Sequence, residues 1–384
     1  MLARFNVNTY VCTIEMMWGA VVTVEFDPTR LEPQDVDLPS TYPVPKGWLR
    51  DWNTETGRIT RLWPPETISA KDLERRVPEL QKDDAVAEFA KRKMDLRATF
   101  DTEPDPLDMV LPGMVSGTVG MIAGAGSAGK SMWSVQCGMS LACGSDIFGL
   151  FEGIEGFEFR QGRVVYACAE DQRPVLHHRL YNMGQRMREV APDKAPGILD
   201  AIVENFQVVD LYGSGITIEP QRPDWWKSNW WLLAQIAKGA RLVIIDTLIR
   251  FAGGRSENDN VEMAAMMSAV EMAVKATGST FLLLHHVGKA SARDGSAGSD
   301  QTAVRGASSL TDNARWQANL QTMTVQEAEK RGIEEPDVRR RWVSWEATKT
   351  NYGAPLPPVW LYRGPSGILV ADEPPEAQNR RGRV

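Results

Sequence analysis

Short, mainly apolar runs alternate with helical patterns along the chain after residue 101. Five runs have the length and composition of buried strands: SGTVGMIAG (116–124), GRVVYACA (162–169), NFQVVDLY (205–212), ARLVIID (240–246) and STFLLLHH (279–286). Apolar residues recur with helical spacing between them, in MWSVQCGMSLAC, PVLHHRLYNMGQRM, WWKSNWWLLAQIA and VEMAAMMSAVEMAVKAT. This alternation predicts an α/β fold with a mostly parallel sheet and helices on both of its faces.

Three further strand patterns lie near the C-terminal end: NLQTM, RWVSWEATK and PVWLYR. Their spacing predicts antiparallel additions to the same sheet. Thr324 and Glu327 fit a capping box, which predicts a short helix after the first of these strands. Residues 372–384 are rich in Pro, Glu and Arg and predict a disordered tail.

The first 100 residues have a different pattern, which predicts a small α+β extension. One or two strands are expected before residue 27, a Pro-rich extended connector at 27–48, and a hairpin in WNTETGRITRLW. Helical spacing from 69 to 96 indicates one helix interrupted near Pro78, or two helices. The segment DTEPDPLD (101–108) is the best boundary candidate, so we expect an extension at 1–100 and a main domain at 101–371.

The composition is that of a globular protein with a sizeable core. The chain has 384 residues, of which 43% are hydrophobic and 24% charged, and this excludes collagen-like and wholly disordered classes. Its four cysteines form no CxxC pair, which indicates a reducing compartment and predicts a cytoplasmic protein. The net charge of −7 provides no overall attraction for nucleic acid. Any nucleic acid would therefore have to bind through local Lys and Arg residues.

Two stretches of the chain are apolar enough to suggest a signal peptide or a membrane span, but neither has the other features that this would require. The N-terminal residues are interrupted by Glu15 and have no small-residue cleavage site, so they make a poor signal peptide. Residues 109–129 are uncharged, but they contain Pro112 and six glycines. We therefore expect no membrane span.

Three of these glycines, Gly124, Gly126 and Gly129, belong to a phosphate-binding pattern. GAGSAGKS matches the P-loop, GxxxxGK[ST], and it follows a strand and opens a helix as that motif requires. The loop N–H groups would surround phosphate oxygens, Lys130 would neutralise the β and γ phosphates, and Ser131 would hold Mg²⁺. A chance match in a small-residue turn is the alternative. The predicted nucleotide-binding residues are Gly124, Ala125, Gly126, Ser127, Ala128, Gly129, Lys130 and Ser131.

Acidic residues end two of the predicted strands. Asp246 closes an apolar strand, where a carboxylate lies beside the Mg²⁺ of P-loop enzymes, although an N-cap role competes. Glu170 and Asp171 follow another strand at the sheet edge where α/β proteins place their active sites. Glu170, with its longer side chain, is the better candidate to polarise the attacking water, and a solvated strand-end acid is the alternative. Asp171 is expected to cap the next helix.

The four histidines occur as two adjacent pairs. His177 and His178 lie in a polar helical stretch, where a solvated or packing role is expected. His285 and His286 end a strand, and a polar tip there can contact the γ phosphate. Alternate strand residues face opposite ways, so only one of this second pair should face nucleotide. A zinc site is disfavoured because no cysteine or third histidine is near.

A long loop rich in Gly, Ser and Ala spans residues 287–304 and carries Lys289 and Arg293. Loops of this length in compact domains are usually functional or disordered. Two cations beside a phosphate-contacting strand would suit the backbone of single-stranded DNA, and a mobile linker is the alternative. Arg305 and Arg315 follow, ten residues apart, and are expected to have different roles.

Together these motifs resemble those of the RepA-type hexameric replicative helicases of broad-host-range plasmids, within the RecA-like, DnaB-like P-loop ATPases. The resemblance runs from about Leu107 to Leu369. It rests on DPLDMVLPGMVSGTVG, AED with HHRL, VIIDTLIRF, LLHHVGK, RGASSLTDNARWQ and KTNYGAP. It implies a RecA-like core, ATP bound at the subunit boundaries of a homohexamer, single-stranded DNA in the channel, and a replication initiator or primase as partner.

The resemblance also implies roles for individual residues. Lys130, Ser131 and Asp246 would bind nucleotide and Mg²⁺, Glu170 would be the catalytic carboxylate, and His286 the phosphate sensor. Arg315 in DNAR corresponds to the arginine finger, with Arg305 as the other candidate. Lys349 corresponds to a position that faces the neighbouring subunit's nucleotide. The family chain begins near DPLD, so residues 1–100 are an addition of unassigned role.

The sequence-based expectation is an ATP-dependent DNA helicase of plasmid, phage or mobile-element replication. Two alternatives remain open at this point. One is a RecA-like ATPase that is stimulated by DNA in recombination or regulation without unwinding it. The other is an assembly protein in which bound ATP has a structural role and is not hydrolysed.

Overall fold

A computed structural model describes most of the chain. The described residues are 11–15, 21–25, 34–39, 49–53, 58–63, 90–217, 230–253, 259–286, 310, 313–352 and 355–376. The chain divides into two compact units, Met1–Asp105 and Pro106–Val384. Among the described residues, no helix combines the length and apolarity needed to cross a bilayer.

The first unit contains two small antiparallel sheets and one helix among its described residues. Its elements are β1 (Val11–Glu15), β2 (Val21–Glu25), β3 (Gln34–Pro39), β4 (Leu49–Asn53), β5 (Arg58–Trp63) and α1 (Leu96–Asp101). β1 pairs with β2, and β5 pairs with both β3 and β4. The predicted strands and hairpin are present. The predicted connector at 27–48 includes β3, whose polar sequence gave no strand signal, and the predicted helix lies mainly outside the described residues.

The second unit is built on a nine-stranded sheet. Its strands are β8 (Val119–Gly124), β9 (Val164–Cys168), β10 (Phe206–Asp210), β11 (Leu242–Asp246), β12 (Thr280–His286), β13 (Trp316–Thr322), β14 (Trp342–Thr350), β15 (Val359–Arg363) and β16 (Leu369–Ala371). The order across the sheet is β10-β9-β11-β12-β8-β13-β14-β15-β16. A separate ribbon precedes it, formed by β6 (Met109–Leu111) and β7 (Met114–Val115).

The sheet is parallel from β10 through β13 and antiparallel from β13 through β16. The five apolar runs all form parallel strands, as predicted. The prediction for NLQTM was wrong in one respect, because β13 is parallel to β8. It joins the core sheet with Trp316 paired to Gly120, and only then do β14 and β15 add in antiparallel fashion. The short β16 carried too few residues to be predicted.

Helices cover both faces of the sheet. They are α2 (Lys130–Cys143), α3 (Arg173–Val190), α4 (Ala195–Asn205), α5 (Trp230–Ala237), α6 (Leu248–Phe251), α7 (Asn260–Thr277), α8 (Val325–Lys330) and α9 (Pro336–Arg339). One apolar core lies between the sheet and α2, α3 and α4, and a second lies between the sheet and α5, α6 and α7. The α/β class is thus confirmed, and Thr324 and Glu327 form the predicted capping box of α8.

Candidate active site

Four parallel strands end side by side at one edge of the sheet. Gly124 at the end of β8 pairs with His286 of β12, and Asp246 at the end of β11 pairs with Cys168 of β9. Glu170 follows β9 by two residues. The residues predicted from separate motifs therefore meet at the carboxyl edge of the sheet, which is where open α/β sheets hold their ligands.

The P-loop joins β8 to α2 in a conformation that small residues permit. A Cβ atom on Gly124 would lie 2.5 Å from the carbonyl oxygen of Leu320, so only glycine fits there. Ser127 and Gly129 both have positive φ, at 67° and 104°. Gly129 is the N-cap of α2 and provides no side-chain cap. The first N–H groups of the helix are therefore available to an anion, and the helix dipole favours negative charge there.

Lys130 is buried at the base of this loop, with 5% of its surface exposed. Its Nζ donates to the carbonyl oxygens of Gly124 at 2.9 Å and Ala125 at 3.1 Å, and lies 3.2 Å from Nδ1 of His286. Burial lowers the pKa of Lys130 to about 8, while Asp246 and Glu170 act in the opposite direction. An entering phosphate would thus meet a positioned lysine whose charge it would stabilise.

Asp246 has the environment of a ligand to a cation. Its Oδ2 accepts a hydrogen bond from the hydroxyl of Tyr166, whereas its buried Oδ1 has no hydrogen-bond partner among the described residues. Burial raises the pKa of Asp246, and hydrogen bonding by Tyr166 and Ser131 opposes this effect. One carboxylate, one hydroxyl and phosphate oxygens form the kind of ligand set that Mg²⁺ takes. The residues present therefore fit Mg²⁺, which would supply charge neutralisation at the phosphates.

Glu170 lies at the mouth of the site beside His286. The Nε2 atom of His286 is 3.9 Å from Oε1 of Glu170. The His286 ring, helped by the charges of Lys130 and Arg250, lowers the pKa of Glu170 against the opposing effect of burial. The Glu170 carboxylate is therefore held ionised and can accept a proton or orient water.

Asp171 does not cap the following helix. The N-cap of α3 is Gln172, and Asp171 instead pairs with Arg179, nearly two turns into that helix. An arginine in reach offers the carboxylate a charged partner, which outweighs the backbone N–H groups at the helix start. The prediction of a capping role was thus wrong.

Residues of the P-loop, together with Glu170, Asp171 and His286, line a cavity of about 380 Å³. Two arginines line it to which the sequence analysis assigned no role, Arg179 and Arg363. Arg179 follows the histidine pair of α3, and Arg363 ends β15. Arg179 belongs to the HHRL motif, but that motif does not indicate a phosphate contact. The packing of α3 and β15 brings both arginines to the P-loop. The lining residues are Ser127, Gly129, Lys130, Ser131, Met132, Glu170, Asp171, Arg179, His286, Arg363 and Gly367.

The histidines separate as their strand and helix positions predict. His177 and His178 are exposed on α3. His285 is 2% exposed, whereas the next residue, His286, is half-buried and contacts Lys130. Alternation along β12 explains why only one of this pair faces the P-loop.

Arg315 and Lys349 lie near each other at the opposite edge of the sheet from the P-loop, where the amino ends of β8 and β13 are. The backbone N–H of Arg315 donates to the carbonyl oxygen of Val119 at 2.9 Å, at the amino end of β8. Lys349 is opposite Gln317, two residues after Arg315. Both residues are therefore remote from the P-loop of their own chain. Lys289, Arg293 and Arg305 lie outside the described residues.

A P-loop beside a buried strand-end aspartate, with a glutamate on the adjacent strand, defines the class of P-loop nucleotide hydrolases. Residues 87–292, more than half of the chain, match the AAA domain family. The chain belongs to that family and is a P-loop ATPase.

Solved structures with a similar fold share little sequence with this chain. A DnaB-like replicative helicase, solved with its interactions with primase, has 13% identity and a TM-score of 0.48 over 78% of this chain and 74% of its own. A KaiC-like protein from Pyrococcus horikoshii has 13% identity and a TM-score of 0.42 over 70% and 100%. The RadB recombinase has 11% identity and a TM-score of 0.38 over 67% and 92%.

Proposed function

We propose that this protein is an ATP-dependent DNA helicase of plasmid, phage or mobile-element replication. It would move on single-stranded DNA as a homohexameric ring in the cytoplasm, driven by hydrolysis of ATP with Mg²⁺. The RepA-type motifs in the sequence support the replicative role. A replication initiator or a primase is the partner class that this role implies.

The observation that carries the proposal is the position of Arg315. The P-loop follows the carboxyl end of β8, and Arg315 is bonded to Val119 at the amino end of that strand. The five residue-to-residue steps from Val119 to Gly124 separate these ends by about 17 Å, which an arginine side chain cannot span. An arginine finger at Arg315 would therefore act on the nucleotide of a neighbouring subunit.

Contacts of this kind favour a ring. The P-loop is at one edge of the sheet, and Arg315 with Lys349 is at the other, so the two surfaces that would meet are different. An interface between different surfaces is heterologous, and it closes when the rotation between subunits divides a full turn. Six subunits would each complete the site of the next.

DNA would pass along the segment after β12. This strand ends at His286, which contacts Lys130 of the P-loop, and residues 287–304 follow directly. A change at the γ phosphate can thus reach the base of a segment that carries Lys289 and Arg293. We assign single-stranded DNA contacts to these two cations, and leave residues 1–100 as a separate extension of unassigned role.

Hydrolysis and strand displacement, measured on the full chain, test the proposal. We expect ATP turnover that requires Mg²⁺, rises with single-stranded DNA, and drives separation of a forked duplex. Lys130→Ala is the matched control that should lack all three activities. Turnover stimulated by DNA without strand separation would leave a DNA-dependent ATPase of recombination or regulation. Binding of ATP without turnover would leave an assembly protein.

A further inference from the structure

Arg363 brings a positive charge to the P-loop from the far end of the sheet. Its Nη2 atom is buried and has no hydrogen-bond partner among the described residues. A Cβ atom on Gly129 would lie 3.0 Å from this Nη2, so the guanidinium packs against the loop backbone. Burial lowers the pKa of Arg363. A buried charged donor without an acceptor is destabilising in the free protein.

The helix that starts at this loop makes the position of the Arg363 guanidinium still less favourable in the free protein. α2 begins at Lys130, and its positive dipole end and uncapped N–H groups point toward the loop. Arg363 and Lys130 therefore place two cations at the end of a helix where anions are preferred. An anion between the helix and Arg363 would remove both penalties at once.

The backbone that carries Arg363 is tied into the surrounding structure. The side chain of Gln136 on α2 donates to the carbonyl oxygen of Leu369 at 2.6 Å and accepts from its N–H at 2.9 Å, which ties α2 to β16. β16 pairs with β15, so Leu369 is directly opposite Arg363. The backbone of Arg363 also donates to Arg341 at 2.8 Å. The strand that carries Arg363 is thus fixed beside α2 before any ligand binds.

The location of Arg363 indicates which phosphates of a nucleotide it would contact. In a P-loop, the backbone N–H groups surround the α and β phosphates, and the lysine reaches the β and γ phosphates. Arg363 contacts the loop backbone at Gly129. The groups suited to the γ phosphate form a different set, in which Lys130 contacts His286 and His286 approaches Glu170.

We propose that Arg363 binds the α and β phosphates of the nucleotide in its own subunit, so that it recognises the diphosphate shared by ADP and ATP. This inference rests on the ATPase function proposed above. Arg363 would act in cis on binding, whereas Arg315 would act in trans on the γ phosphate. Its forked donors suit two phosphate oxygens.

The test compares ADP and ATP binding to Arg363→Met and wild-type full-length protein. Methionine keeps the apolar stem and removes the charge. We expect the dissociation constants of ADP and ATP to rise by the same factor, about ten- to a hundredfold. The kcat at saturating ATP should fall by a smaller factor than the affinity, because the α and β phosphates are already bound in the substrate complex. Arg341→Met, which removes an exposed charge from the same sheet, should bind both nucleotides like wild type.

Thermal unfolding separates this role from a structural one. Without nucleotide, Arg363→Met should unfold at the same temperature as wild type or higher, since a buried Nη2 donor without a hydrogen-bond partner among the described residues is removed. The stabilisation by ADP should shrink. A lower unfolding temperature with an unchanged dissociation constant for ADP would overturn the inference, and so would a loss confined to ATP. If Arg363→Met does not fold, Arg363→Lys tests the same point and should weaken both nucleotides through loss of the forked donors. Wild-type protein that binds neither nucleotide would instead overturn the proposed function.

Discussion

The Nζ of Lys130 lies 3.2 Å from Nδ1 of His286, so the P-loop and the end of β12 are in contact before a phosphate enters. Lys130 is otherwise bonded to the carbonyl oxygens of its own loop. A γ phosphate would compete with these acceptors for the same ammonium group. Its arrival and loss would therefore change what His286 contacts, and His286 directly precedes the segment assigned to DNA.

Nucleotide binding should take up a proton on Lys130. The pKa of Lys130 is lowered to about 8, so the side chain is largely neutral at pH 9, and bound phosphate favours the charged form. We expect uptake of about one proton per ADP at pH 9 and little at pH 6.5. Calorimetry in two buffers of different ionisation enthalpy measures it.

His286→Gln is the control for this proton. The uptake at pH 9 should persist in that variant, because Lys130 is unchanged in it. Lys130→Met should lose it. Equal uptake by wild type and Lys130→Met would assign the proton to another group.

Glu170→Gln should bind nucleotide and hydrolyse it slower by about two to four orders of magnitude, because a general base is lost while the phosphate contacts remain. Single-turnover hydrolysis and ATP binding, measured together, check this. Asp171→Asn is the matched neighbour, and its partner is Arg179. If Asp171→Asn proves the more damaging change, Asp171 is the catalytic carboxylate.

Arg315→Ala should assemble and bind ATP but turn over slower by about 10³ to 10⁵, the range of arginine fingers. Mixing it with Glu170→Gln creates some interfaces that have both residues intact. ATPase activity should then exceed that of either variant alone. Confirmed mixed rings without regained activity would contradict action in trans, and rescue by Arg305→Ala in place of Arg315→Ala would move the finger to Arg305.

Lys289→Ala combined with Arg293→Ala should weaken binding of single-stranded DNA. Each lost phosphate contact also removes released counterions, so the slope of log affinity against log salt should become shallower. Fluorescence anisotropy with an oligonucleotide at several salt concentrations measures both. ATPase activity without DNA should persist. An unchanged slope would return residues 287–304 to the role of a linker.

The pair formed by Asp108 and Arg241 should stabilise the second unit. Arg241 donates from both terminal nitrogens to Asp108, at 2.6 Å each, and this pairing lowers the pKa of Asp108. Asp108→Asn should reduce the free energy of unfolding by about 1–3 kcal/mol at pH 7. Because the folded pKa is depressed, the contribution is complete above the unfolded value near 4 and is lost as the pH falls through the lower folded value.

Denaturant unfolding of wild type and Asp108→Asn from pH 7 to pH 3 checks this prediction. The difference between the two should be constant down to about pH 5 and shrink below about pH 4. Asp105→Asn, at an exposed position nearby, should unfold like wild type. A difference that does not change with pH would contradict a charged role for Asp108.

The sequence by itself determined the parallel core and indicated which residues would meet at its carboxyl edge. The apolar runs predicted β8, β9, β11 and β12, because strands buried on both faces must be apolar throughout. The GAGSAGKS loop, Asp246 and Glu170 were recognisable since each follows such a strand, and parallel strands bring their carboxyl ends together. Alternation along β12 also indicated that one histidine of the pair would face the loop.

Only the tertiary structure decided which residues from distant segments complete the site. Arg363 is more than 230 residues from Gly129, and it reaches the loop because β15 and β16 add to the far side of the sheet. The burial of Lys130 and the pairing of Asp171 with Arg179 depend likewise on packing. Periodicity indicates which face of a helix or strand is buried. It does not indicate which charged side chains of other helices and strands will lie against that face.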